Sequence, residues 1–131
     1  MNKLLTFAPI GARLLLGLIF TIFGLNGFFH FIDIPPAEGA AGDFMGGLFA
    51  SGYFFPLLAG TQTVVGLALL TNCFAALALV ILAPISIHIA LYHTLAPDGM
   101  PMALLIIVLH LASAFGLRAA YRPLLTAKVQ A

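Results

Sequence analysis

Apolar residues fall along this chain in four long stretches, broken by short segments rich in Gly, Pro or polar residues. About 20 helical residues are needed to cross a hydrocarbon core of about 30 Å. Four stretches meet that length: about Pro9 to Phe31, Tyr53 to about Leu70, Cys73 to about Leu95, and about Met100 to Leu117. The pattern predicts an all-α integral membrane four-helix bundle, one domain over residues 1–131. Pro9 and Pro101 are expected at or near helix starts, and Pro56 in a first turn, where a missing N–H is harmless. Pro84 is expected mid-span, freeing the Val80 carbonyl and kinking its helix. Lys3 provides the basic start of a signal peptide, but the run that follows is long, contains Arg13 and meets no small-residue cleavage site, so a retained helix is expected.

The longest connection, roughly Ile32 to Gly52, is broken early by Pro35-Pro36. Asp43 then precedes Phe44, Met45, Leu48 and Phe49, which predicts a short helix capped by Asp43 and lying in the outer interface. Packed loop helix and lid are both open to it. Small residues recur in the spans: Gly17 with Gly24, Gly60 with Gly66, and Ala112 with Gly116. In lipid, such positions let helices approach closely. They are compatible with subunit contacts in a homo-oligomer as well as with bundle packing.

Composition sharpens the class. Of 131 residues, 63% are hydrophobic and 7% charged, and the mean hydropathy is +1.16. A soluble domain of this size could not bury so much apolar surface. A net charge of +1 from five basic and four acidic residues leaves no footprint for nucleic acid. The single cysteine, Cys73, excludes dithiol chemistry within the chain. Lys3, Arg13, Arg118, Arg122 and Lys128 sort to one side of a four-span topology, and Asp33, Glu38, Asp43 and Asp98 to the other. The positive-inside rule then predicts a bacterial-type cytoplasmic (inner) membrane protein with both termini cytoplasmic.

Polar residues inside hydrocarbon are costly and tend to face a bundle interior or cavity. Asn26 and His88 come out at a similar depth, roughly 10 Å from the outer end of their helices. His30 and His93 lie nearer the outer surface, and Gln62 and His110 near the midplane, roughly 14 Å in. Asn26, His30, Gln62, His88 and His110 are the candidate ligand-binding residues. Two arrangements fit them: an outward-opening pocket with a few placed polar groups, or interhelical hydrogen-bond glue. Arg13 and His93 read as interface and anchoring residues, Arg13 snorkelling to inner-leaflet phosphates and His93 placing a polar tip at the interface. Tyr53 and Tyr92 read as belt residues. A haem between His30 and His93 is disfavoured because no spacing demands it. No metal site is expected, because no membrane carboxylate stands beside the histidines. No hydrolase, kinase or dinucleotide motif is present.

Several segments together carry a resemblance. They are Arg13-Leu-Leu-Leu-Gly-Leu-Ile-Phe, Phe23-Gly-Leu-Asn-Gly-Phe-Phe-His-Phe, Ser51-Gly-Tyr-Phe-Phe-Pro-Leu, Gln62-Thr-Val-Val-Gly-Leu-Ala-Leu-Leu, and Leu82-Ala-Pro with His93 beyond it. In this order the chain resembles the DoxX family of small four-helix membrane proteins, over about residues 10 to 117. The resemblance implies a redox-associated membrane protein, a quinone-like or lipid-like ligand, and a soluble or membrane oxidoreductase as partner. Family members often carry an acid where this chain has Gln62 and a lysine near Gly27. The alternatives to a redox accessory subunit are a scaffold without chemistry and a small transporter. The last is least favoured, because a single short bundle offers no inverted repeat and no pair of broken helices.

Overall fold

The computed structural model describes residues 2–129. It is all-helical, with six α-helices among the described residues: α1 Asn2–Phe29, α2 Gly39–Ala50, α3 Phe54–Thr71, α4 Ala75–Tyr92, α5 Met100–Gly116 and the short α6 Arg118–Tyr121. Four helical segments are long and apolar enough to cross a membrane: α1, α3, α4, and α5 with its preceding turn. The large side chains exposed on them, such as Leu18, Val64, Ile87 and Val108, are the ordinary outer face of a bundle solvated by lipid.

Helix ends are set by specific residues. The first span starts at Asn2, seven residues before the expected Pro9, so Pro9 lies inside α1. Its missing N–H costs the Leu5 carbonyl one helical bond. In return the ring packs where Gly116 of α5 has no side chain; a Cβ there would stand 2.4 Å from the Pro9 Cβ. At its other end α1 stops at Phe29, two residues before the expected Phe31. His30 turns left-handed with φ 51°, and its N–H still reaches the Asn26 carbonyl at 2.9 Å. Asn72 and Phe74, with φ 58° and 56°, make the hairpin between α3 and α4. Those two left-handed residues move the start of α4 to Ala75 from the expected Cys73, and α4 ends at Tyr92 rather than near Leu95.

The loop helix α2 exists but is not capped by Asp43. It starts four residues earlier, after Glu38, whose side chain makes no capping bond. The extended Pro35-Pro36 segment runs on to Gly39, whose φ of +60° turns the chain into the helix before Asp43 is reached.

The four spans form a ring in which α1 packs on α3 and α5, and α4 on α5 and α3. Thus α1 and α4 stand across the diagonal. Leu16 and Phe20 from α1, Leu69 from α3, and Leu79 and Leu82 from α4 are essentially fully buried between them. Pro84 lies inside α4, leaving the Val80 carbonyl without its donor, and the diagonal beside it is filled by these side chains.

The α1/α3 seam is the most extensive contact, and it repeats itself. Gly17, Thr21 and Gly24 on α1 match Ala59, Thr63 and Gly66 on α3 in spacing. Each threonine hydroxyl donates to the carbonyl four residues back: Thr21 to Gly17 at 2.7 Å, Thr63 to Ala59 at 2.8 Å. Each glycine receives the other helix's threonine. A Cβ at Gly24 would meet Thr63 Oγ1 at 2.4 Å, and one at Gly66 would meet Thr21 Oγ1 at 2.4 Å. The antiparallel pair is therefore locally two-fold. Helix α5 carries the shortened form, Ser113 with Gly116, the serine bonding to the Leu109 carbonyl at 2.7 Å.

Candidate functional site

The seven residues singled out from the sequence fall into separate local environments. Asn26 is buried, 6% exposed, and its amide closes the end of α1. Its Oδ1 accepts from the Ile32 N–H at 2.6 Å, and its Nδ2 donates to the Ile32 carbonyl at 3.4 Å. Both ends of the amide are thus turned to the backbone of one residue in the following loop. His30, four residues on, is past the helix end and exposed, so it does not line a helical face with Asn26.

His110 is buried, and its Nδ1 lies 3.1 Å from Ser86 Oγ. Among the described residues this is the side-chain hydrogen bond that joins α5 to α4. It has the form of an interhelical contact between two buried polar groups. Gln62 is half-buried on α3, one residue from the Thr63 that faces α1. It takes no part in the side-chain hydrogen bonds among the described residues.

His93 is half-buried at the C-terminus of α4. Its Nδ1 must carry the proton, because it donates to the Ile89 carbonyl at 2.7 Å. Its Nε2 edge lies over Gly99, where a Cβ would come within 2.0 Å. The ring thus fills the turn between α4 and α5. Among the described residues no three of His, Cys, Asp and Glu gather as a metal site would require.

Arg13 does more than reach for lipid. Its Nη1 donates to the Leu69 carbonyl in the last turn of α3, one of the carbonyls a helix end leaves unpaired. A cation at a helix C-terminus also complements the helix dipole.

His88 is exposed on α4, whereas Asn26 is buried, so the two do not flank one interior cavity. His88 faces the loop helix. Phe44 of α2 lies 5.6 Å from the His88 ring and 6.1 Å from Tyr92 one turn on, centroid to centroid. The resulting cluster, at the bundle end away from α6, joins α2 to α4. Phe44 was visible in the sequence as part of an interfacial helix, but nothing in the spacing tied it to His88.

Two further features went unread in the sequence. Tyr121, beyond the last span, donates its hydroxyl to the Ala76 carbonyl in the first turn of α4, at 3.1 Å. Burial of this phenol pushes its pKa above 10.0, because the anion would be poorly solvated. Arg118 lines a cleft of about 370 Å³ together with Thr6, Pro9, Arg13, Ser113 and Gly116. A second hollow, about 470 Å³ and largely apolar, lies on the outer faces of α3 and α4 around Gly60, Val64 and Ile81. Neither hollow is lined by Asn26, His30, Gln62, His88 or His110.

Searches against family models, curated proteins and solved structures find no match to this chain.

Proposed function

We propose that the chain is a DoxX-like, redox-associated accessory subunit of a bacterial-type inner membrane, holding a planar, carbonyl-bearing apolar molecule such as a quinone head at its outer end. The observation that carries this reading is the cluster of Phe44, His88 and Tyr92. An exposed imidazole, not bonded to any described side chain, stands beside an aromatic ring. Aromatic faces favour a flat ring in offset or tilted stacking. An imidazole N–H can donate a hydrogen bond to a quinone oxygen. Of the five residues expected to bind a ligand, His88 faces it in this reading, while Asn26 and His110 hold the bundle around it. Oxidation and reduction belong to a partner oxidoreductase, because no catalytic constellation accompanies the cluster.

Both termini and the α3–α4 hairpin lie on the cytoplasmic side in this reading, with α2 on the outside. Cells expressing Cys73→Ser with either Glu38→Cys or Lys128→Cys test it with an impermeant thiol reagent. Labelling at position 38 alone is expected; labelling at 128 alone reverses the orientation.

The ligand is tested on the purified full chain in detergent with a short-chain ubiquinone and with an alcohol of equal hydrophobicity. Saturable binding of the quinone alone is expected, with the His88 imidazole resonance shifting. His88→Leu should weaken binding about three- to tenfold, the range of one hydrogen bond. Non-saturable uptake of both molecules with no shift at His88 would remove the ligand and leave the scaffold reading, in which the chain serves its partner by contact alone.

A further inference from the structure

The opposite end of the bundle carries a different chemistry. The cleft of about 370 Å³ lies between the first turns of α1 and the end of α5, within the roughly 300–1,000 Å³ of small-molecule sites. Thr6, Pro9 and Arg13 form its α1 wall at helical spacing, and Ser113 and Gly116 of α5 with Arg118 at the start of α6 close it.

Two guanidinium groups line this one cleft. Each has five N–H donors. Arg13 bonds through Nη1 to the Leu69 carbonyl, and Arg118 through Nη1 to the Phe115 carbonyl at 2.9 Å. Phe115 also lies under the Arg118 guanidinium, 4.4 Å from ring centre to Cζ, which holds that group in place. The other donors of both remain for a ligand. Among the described residues no acidic side chain neutralises them: Asp33, Glu38, Asp43 and Asp98 all lie in the connections at the far end of the bundle. The two hydroxyls in the wall cannot substitute as donors. Thr6 gives its proton to the Asn2 carbonyl at 3.0 Å, and Ser113 to the Leu109 carbonyl at 2.7 Å.

We propose that this cleft is a phosphate site that holds the headgroup of an anionic phospholipid. Two guanidinium groups lining one cleft supply the charge and the forked donors that suit a phosphodiester, and basic pockets between spans at the membrane surface suit anionic headgroups. The wall beside the arginines is apolar, with Leu5, Ile10 and Leu117. Leu4, Leu5 and Phe7 of the same stretch of α1 are mostly exposed. A lipid can therefore seat its phosphate on the arginines and run its acyl chains along that surface, which a free phosphate ion has no use for. This site is independent of the quinone reading and lies at the other end of the molecule.

The test uses the full chain in detergent and native mass spectrometry with phosphatidylglycerol, phosphatidylcholine or inorganic phosphate. Retention of phosphatidylglycerol well above phosphatidylcholine is expected. Arg118→Gln, which removes a bond only within its own helix end, should lower it about tenfold, as expected for loss of a charge-assisted contact. Arg118→Lys should restore part of it. Arg122→Gln and Lys128→Gln, at the same end but outside the cleft, should leave it unchanged. Equal losses in all these variants would show diffuse surface attraction and overturn the site. Displacement of the lipid by millimolar inorganic phosphate would assign the cleft to a soluble phosphate and overturn the lipid assignment. Undiminished retention in Arg118→Gln, with unchanged helix content, would overturn both.

Discussion

The α1/α3 seam and the α4/α5 side of the bundle solve the same problem by different means. In lipid there is no hydrophobic drive to bring helices together, so packing and interhelical hydrogen bonds must do it. The α1/α3 seam uses close approach. Gly17, Gly24 and Gly66 remove side chains where the opposite backbone arrives, and the threonines bond within their own helices. Around α4 the apolar core contacts of Leu79 and Leu82 are joined by two polar ones: His110 to Ser86 inside the bundle, and Tyr121 to Ala76 at the basic end. The first seam is intolerant of added volume. The second is sensitive to lost donors and acceptors, at a smaller expected cost for each.

The largest effect is expected at Gly66. A Cβ there would meet not only Thr21 Oγ1 but the Thr21 backbone nitrogen at 2.6 Å and the Gly17 carbonyl at 2.9 Å, and backbone cannot rotate away. Gly66→Ala should destabilise by about 2–3 kcal/mol, toward the upper end of overpacking costs, read as a lowered Tm in detergent. Gly60→Ala is the matched comparison, since its nearest neighbour would be Phe28 Cζ at 3.9 Å; a change within about 0.5 kcal/mol is expected. Equal effects at the two glycines would show that helix propensity, not the seam, sets the response.

Tyr121→Phe comes next, at about 1 kcal/mol for one hydrogen bond. It also carries a pH signature. Because the folded state raises this pKa above 10.0, the contribution is fully present below the unfolded pKa. It is lost as pH rises through the folded value, where the phenolate can no longer donate. Wild type should therefore lose stability above about pH 10 more steeply than Tyr121→Phe; parallel curves would detach the hydroxyl from stability.

The smallest effect belongs to the buried pair. A double-mutant cycle of Ser86→Ala with His110→Leu should give a coupling of about 0.6 kcal/mol, the average for polar contacts in membrane bundles. A coupling several times larger would place the α4/α5 contact on a par with the α1/α3 seam and erase the contrast between them.

The helix count and class follow from apolar run length alone, because the hydrocarbon core demands a minimum length of uninterrupted helix whatever its neighbours. The sorting of Lys and Arg against Asp and Glu to opposite ends is equally one-dimensional. Asn26, His110 and His93 were legible as unusual, since a polar group in an apolar run must be satisfied somewhere. Who satisfies them was not legible. Asn26 turns to Ile32, six residues on, His93 to its own helix, and His110 to a helix 24 residues away. Depth counting matched Asn26 with His88, but depth is a single coordinate. Which helices adjoin, and which way each face points, depends on the angle around the bundle. That angle is set where Gly24 admits Thr63 and Gly66 admits Thr21, through contacts some 40 residues apart in the chain. The same rotation puts α1 and α4 on a diagonal, turns His88 toward Phe44, and brings Arg13 and Arg118 into one cleft. Their residue types are written in the sequence, whereas their adjacency comes from the packing of α1 against α3 and α5.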